Sequence, residues 1–280
     1  METATDFRLS VLSSGSSGNA TYVETDAGGL LVDAGISCRR LEAMLKRIGR
    51  SLKDVGAVLL THGHADHTSG LRTLLKKWPV EVYAAPGVLE DSRTMRAEAE
   101  EAFEVCGLTA TFFEVPHDAP TFGLRLSDGI RAATLATDLG EVSPEVLRWM
   151  RGADAAVLEA NHETDWLRSG PYSAELKRRI FSPNGHLSNE QAAEAALALA
   201  AHGLKDLVLA HLSKKNNSPA RACGAVSKVL RQAGYEGVRV RAAMAGHPTP
   251  WIEVGAAPES PKYVYRYAQG DAVQQLFEVE

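Results

Sequence analysis

Apolar and polar positions change period several times along the chain. Over residues 7–12 they alternate, as in a half-buried strand. Ser13-Ser14-Gly15-Ser16-Ser17-Gly18-Asn19 follows as a small polar loop. Residues 21–25 and 29–33 read as a hairpin around Asp26-Ala27-Gly28. From Cys38 to Ile48 the apolar positions shift to helical spacing, at Leu41, Met44, Leu45 and Ile48, and Gly49 stands just past the end. Residues 57–60 are a short, fully apolar strand. The pattern then predicts a helix over 69–78, a strand over 80–84 and a helix-rich segment over 88–105.

The second half repeats the mixture. Residues 109–115, 122–126 and 130–136 read as successive strands. Ser143-Pro144 is a helix start, with serine as N-cap and proline at the first helical position. Strands are expected over 155–158 and 206–210, the latter ending in a histidine. Ser188-Asn189-Glu190-Gln191 is a capping box ahead of an alanine-rich helix that ends near Gly203. A further helix over 220–232 is closed by Gly234, and late strands follow over 238–242 and 251–254. No linker divides the middle of the chain. The expectation is one α/β domain over residues 1–257, each half contributing a sheet covered by helices, with 258–280 as a C-terminal tail.

Composition narrows this little. The 280 residues suffice for a large core, and 45% hydrophobic against 23% charged residues excludes global disorder. No apolar run approaches the ~20 residues of a membrane helix. Residues 1–10 carry Glu2 and Asp6 without an apolar stretch, so no secretory signal is expected. Cys38, Cys106 and Cys223 are widely spaced and odd in number, which fits a reducing cytoplasm rather than a disulfide scaffold or a thiolate zinc site. The net charge of −5 gives no general attraction to nucleic acid or to an anionic membrane.

The candidate chemistry is concentrated in Thr61-His62-Gly63-His64-Ala65-Asp66-His67, directly after the apolar strand 57–60. A loop at a strand end can turn His62 and His64 toward one point, while the adjacent Asp66 and His67 more easily face a second. That arrangement suits two ions close together.

This HxHxDH run resembles the signature of the metallo-β-lactamase superfamily. The resemblance implies an αββα sandwich, two mixed sheets flanked by helices, with metals at one edge between the sheets. It also implies further ligands downstream. His117, just after a strand, matches the third-motif histidine and would join His62 and His64 on the first ion. Asp138, after the strand 130–136, matches the bridging acid, and His211, after 206–210, would join Asp66 and His67 on the second. Asp33 matches an early acid that orients a ligand. Two divalent ions, Mn²⁺ or Zn²⁺, would hold a water between them and supply hydroxide near neutral pH.

Further segments resemble the YycJ (WalJ) family within that superfamily: residues 12–19, Val115-Pro116-His117-Asp118-Ala119, Glu159-Ala160-Asn161-His162-Glu163, Gly185-His186-Leu187-Ser188-Asn189 and His211-Leu212-Ser213-Lys214-Lys215-Asn216-Asn217. The match runs from about residue 8 to about 255. It implies a cytoplasmic metallo-hydrolase with 5′→3′ exonuclease activity on DNA ends, single-stranded or duplex, linked to mismatch repair and thereby to DNA-repair proteins.

The same segments resemble the tRNA 3′-processing nuclease, in which a glutamate and a loop histidine donate a proton. That parallel gives Glu159 and His186 catalytic roles beside Asp66, which is expected to serve as ligand and in catalysis. Ser16 and Asn19 of the small polar loop, His162 and Lys214 are the candidate substrate contacts. Lys177-Arg178-Arg179 and Lys214-Lys215 are placed to track a nucleic-acid backbone, and Trp166, Tyr172 and Phe181 either stack on bases or pack in the core. An RNase, a cyclic-phosphate diesterase, a thioester or lactam hydrolase, and a non-catalytic regulator on the same fold are the alternatives. Two divalent ions would also offset part of the formal charge of −5 at the place where a phosphate binds.

Overall fold

Strand β1 (Arg8–Ser13) runs antiparallel to β2 (Ala20–Thr25), which turns back into β3 (Gly28–Val32). The chain then changes habit. β4 (Val55–Leu60), β5 (Glu81–Ala84) and β6 (Thr94–Arg96) are added in parallel, each beside the last. Helices α1 (Cys38–Arg47), α2 (Ala65–Thr68) and α3 (Leu71–Lys77) lie in the crossovers. The structure, a computed structural model, describes residues 6–256. The expected tail over 258–280 lies outside the described residues.

The second half follows the same scheme. β7 (Ala102–Val105), β8 (Leu108–Glu114), β9 (Phe122–Ser127) and β10 (Ala132–Ala136) form an antiparallel meander. β11 (Ala155–Glu159), β12 (Asp206–Ala210) and β13 (Arg239–Ala242) then add in parallel. Between them lie α4 (Pro144–Met150), α5 (Thr164–Ser169), α6 (Ala174–Ile180), α7 (Asn189–Ala200) and α8 (Pro219–Gln232). The last short strand, β14 (Ile252–Glu253), returns to the first sheet and pairs with β1. Two seven-stranded mixed sheets result.

Strand periodicity explains the layering. Leu108, Ala110 and Phe112 of β8, Val157 of β11 and Val208 of β12 join the core that the two sheets share. Their neighbours Phe113, Leu158, Leu207 and Leu209 point the other way, into a second core under α4, α7 and α8. Leu41 and Leu45 of α1 and Leu71 and Leu74 of α3 cover the first sheet. Strands buried on both faces must be apolar throughout, which is why β11 and β12 show no alternation in sequence. The order of layers is the αββα sandwich that the resemblance implied.

Helix ends follow their caps. The Ser143 hydroxyl accepts from the Val146 N–H, and the Ser188–Gln191 capping box opens α7. The helix expected over 69–78 arrives as α3 with α2 just before it.

One expectation fails. Residues 88–105 hold no helix but contain β6, β7 and loops. The alanines and glutamates there favour a helix by propensity, and pairing with β5 and β8 overrides it. The signal for a hairpin was Cys106-Gly107. Both residues have positive φ, 49° and 74°, the two-residue turn that joins twisted antiparallel strands.

Candidate metal centre

Six strands end at one edge of the sandwich, and each delivers a polar side chain there. Asp33 follows β3, His62 follows β4, His117 follows β8 and Asp138 follows β10. Glu159 closes β11 and His211 follows β12. Asp33, Asp138 and His211 have φ of 62°, 59° and 54°, a left-handed backbone that L-residues with side chains enter at a cost of ~1–2 kcal/mol. The left-handed residue turns the chain sharply at the strand end and aims the side chain inward. Such strain gathers at functional sites.

Gly35 lets the loops close over this edge. A Cβ there would stand 1.7 Å from the Asp66 carbonyl oxygen and 2.7 Å from the Asn19 nitrogen. The loop after β3, the small polar loop and α2 therefore meet only because residue 35 has no side chain.

The expected ligands come together in four overlapping groups, in each of which the donor atoms lie within 4.8 Å of one another. They are His62 with His64 and His117; His62 with His67 and Asp138; Asp66 with His67 and His211; and Asp138 with Glu159, His186 and His211. His67 Nε2 is 3.1 Å from Asp138 Oδ2, and His211 Nε2 is 3.7 Å from Asp66 Oδ2.

Outer hydrogen bonds orient the rings. His67 Nδ1 is 2.7 Å from Asp33 Oδ2, and the other Asp33 oxygen accepts from the Thr61 N–H. His211 Nδ1 is 2.7 Å from Glu159 Oε1, His62 Nδ1 is 3.1 Å from the Thr61 hydroxyl, and His117 Nδ1 is 3.3 Å from the Gly185 carbonyl. With Nδ1 occupied outside, the Nε2 atoms are the donors left for the centre. The buried Nε2 of His62 and of His211 have no hydrogen-bond partner. An unpaired buried nitrogen is costly, and a divalent cation among these His and Asp donors would relieve it. The residues present therefore fit divalent metal.

Electrostatics agree. Burial, then the neighbouring His67, pushes His62 down to about 4, so its ring is neutral and able to ligate. Burial works against a charge on His67 as well, yet Asp33 and Asp138 hold it up at about 10. Burial would raise the Asp138 carboxyl, but His211 and His67 hold it well below its ordinary value. The cluster attracts positive charge, whether carried by protons or by cations.

Glu159 is a hub. Its Oε1 is 2.9 Å from His186 Nδ1 as well as bonded to His211, and its Oε2 accepts from the Leu139 and Leu187 N–H groups. The carboxyl is fully buried and held below its ordinary range by the two imidazoles against the effect of burial. His186 is partly open, and Glu159 raises its pKa against burial.

The substrate-contact expectations divide. Ser16 is exposed at the tip of its loop, and Lys214 is exposed after β12. Asn19 reaches into the centre, with Nδ2 2.9 Å from His67 Nε2 and Oδ1 accepting from the Gly15 N–H. His162, the fourth expected contact, is 1% exposed, its ring meets the edge of Phe181 at 5.2 Å, burial drives it down to about 4, and neither ring nitrogen has a hydrogen-bond partner.

Sequence reasoning missed several partners. Thr61 links Asp33 to His62, and the Ser14 hydroxyl accepts from the His211 N–H at 2.7 Å. Asp118 sits 3.1 Å from His117 Nε2 and pairs with Arg179. Asn161, Asn189 and Asn217 tie three loops together: Asn161 donates to the His211 carbonyl, and Asn189 and Asn217 bond each other. Thr61 and Asp118 border predicted ligands, which was the available signal. The asparagines gave none beyond their place in the matching segments.

Comparison with known proteins places this geometry. The beta-lactamase superfamily domain matches residues 29–212. Exodeoxyribonuclease WalJ from Streptococcus pneumoniae is 40% identical over 226 residues, which cover 75% of this chain and 83% of that protein. Exodeoxyribonuclease YycJ from Bacillus anthracis is 39% identical over 240 residues, covering 81% and 90%. Among solved structures, the metallo-beta-lactamase fold protein YhfI from Bacillus subtilis superposes with a TM-score of 0.67 at 17% identity, covering 88% of this chain and 99% of that one.

Proposed function

The chain belongs to the beta-lactamase superfamily and, within it, to the WalJ/YycJ family, and from that premise we propose that it is a dinuclear phosphodiesterase that degrades DNA from its ends. As a member it is a metal-dependent hydrolase. The observation that carries the reading is the set of four overlapping donor groups at one edge, which shares His62, His67, Asp138 and His211 between neighbouring groups. Shared donors suit two adjacent ions better than one.

His62, His64 and His117 would hold one Mn²⁺ or Zn²⁺ ion, Asp66, His67 and His211 the other, with Asp138 between them. When bound, such a pair polarises a phosphate and activates water for attack. The chain's own groups supply the rest. Asp33 and Glu159 hold the rings of His67 and His211 in place. Asp66 would serve as a ligand and, through the ion it helps to hold, in catalysis. Glu159 keeps a proton on His186 Nδ1, so that Nε2 at the partly open face can protonate the departing oxygen. Ser16, Asn19 and Lys214 line the approach. Cleavage of DNA in the 5′→3′ direction and a place in mismatch repair in the cytoplasm, beside other repair proteins, complete the proposal on the family resemblance. Residues 1–257 would act as one catalytic domain. No helix among the described residues is long and apolar enough to cross a membrane.

The test is direct. The purified protein is loaded with Mn²⁺, Zn²⁺ or Mg²⁺ and given end-labelled single- and double-stranded DNA, RNA, small phosphodiesters, thioesters and lactams. Release of nucleotides from DNA ends, with about two ions per chain by elemental analysis, is expected. Turnover of thioesters or lactams alone would sink the proposal, and preference for RNA would replace DNA with RNA as substrate.

A further inference from the structure

Four large hydrophobic side chains are exposed among the described residues, and two of them, Trp166 and Phe181, flank the α5–α6 pair. Trp166 is 38% and Phe181 42% exposed. Neither ring is bare. The Arg221 guanidinium lies 4.1 Å from the Trp166 centroid, and that of Arg168 lies 5.9 Å from Phe181. A third pair repeats the arrangement, with Lys215 Nζ 5.5 Å from the Tyr172 ring. Three aromatic rings, each under its own cation, thus lie along one stretch of surface.

Charge singles out the same stretch. Residues 164–181 and 212–221 together hold seven Lys and Arg against two Asp and Glu, in a chain whose net charge is −5. The negative charge lies elsewhere.

The stretch leads into the metal centre. Phe181 packs on His162, whose backbone bonds to the loop that carries His186. Arg179, at the end of α6, pairs with Asp118, which lies 3.6 Å from His64 Nε2. The rings and cations therefore begin at the rim of the centre and run away from it over α5 and α6.

We propose that this aromatic–cation strip is the track for a single-stranded nucleic acid, holding the strand whose end lies in the metal centre. Arginine stacked on a ring leaves its N–H fork free for phosphates, and the rings offer faces to bases. Stacking suits a nuclease that must accept any base, because every base has a π-face. The inference rests on the phosphodiesterase reading above and adds to it the form in which the polymer is held. Duplex ends would be engaged through their frayed strand.

The test uses the metal-loaded full chain and a fluorescent phosphorothioate single strand of about 15 nucleotides, as DNA and as RNA, read by anisotropy. Trp166→Ala and Phe181→Ala should each weaken binding about tenfold, and Trp166→Phe should retain most of it, because a flat ring remains. Arg168→Gln and Arg221→Gln should each lower the salt dependence, by roughly 0.7 in log Kd per log salt. In cleavage, KM should rise for the long strand far more than for a dinucleotide, with kcat little changed. Equal binding and equal KM across all variants would overturn the strip. The charge variants are exposed and carry the test if an aromatic variant misfolds. Strand binding without cleavage of any nucleic acid would sink the nuclease reading and keep the strip. Cleavage unaffected by any of these substitutions would do the reverse.

Discussion

Two buried glutamates sit at opposite edges of the sandwich. Glu24, 7% exposed, lies where β1 begins, and Glu159, fully buried, lies where β11 ends. Both carboxyls accept several hydrogen bonds. Glu24 takes them from the guanidinium groups of Arg8, at 2.7 Å, and Arg50, at 2.6 Å. Glu159 takes them from two imidazoles and two backbone N–H groups. The partners decide the role. Arginine stays charged at any working pH, so the Glu24 cluster is a fixed clamp that holds β1, β2 and the Arg50 turn together. Imidazole gains and loses a proton near neutrality, so a carboxylate between two imidazoles can govern where a proton sits. Burial of charge alone therefore does not mark a catalytic residue; the chemistry of its partner does.

Substitutions test that contrast, beginning with the largest effect. Asp138→Ala should abolish turnover and strip the metal, read by activity and elemental analysis; a variant that keeps both would remove Asp138 from the centre. His186→Ala should slow turnover about 10²- to 10⁴-fold with metal content intact. Loss of both metals in that variant would refute its role in proton transfer. Glu159→Gln should reduce activity or metal affinity about ten- to hundredfold, as expected for a partner that orients a ligand.

Glu24→Gln should leave turnover within about twofold and instead cost ~1–3 kcal/mol of stability, because it removes the charged acceptor that two partly buried arginines share. If Glu24→Gln lowered turnover as much as Glu159→Gln does, the distinction would collapse.

The smallest effect is the pH dependence of the clamp. Burial alone would raise the Glu24 carboxyl, but Arg50 and Arg8 hold it below its ordinary 4.5. Its contribution is therefore complete above 4.5 and is lost as the pH falls through the folded value. Chemical denaturation between about pH 5 and pH 3 should show a stability loss in the native protein that is shallower in Glu24→Gln.

Legibility in the sequence followed distance along the chain. His62, His64, Asp66 and His67 stand within six residues, and a strand end before them suffices to make them converge. His117, Asp138, Glu159, His186 and His211 are separated by tens of residues, and only the resemblance placed them together. Elements with local signals, such as the Ser143 and Ser188 caps, were readable. β6 and β7 were not, because their partners β5 and β8 supply what their own alanines and glutamates lack. Thr61, Ser14 and the three asparagines act through hydrogen bonds to groups far along the chain, which no local pattern displays.

The return of β14 to β1 has a consequence for how the protein is made. Ser10 and Val11 of β1 bond to Thr249, and Arg8 and Leu9 pair with Glu253 and Ile252. A ribosome releases the first sheet long before it releases the strand that borders it. During most of synthesis β1 is an open edge, able to recruit a strand from another nascent chain. The contacts that seal it span some 240 positions, the kind of long-range closure that slows folding. Truncation before Thr249 would leave every proposed ligand in the chain and remove the partner of the strand that leads into the small polar loop.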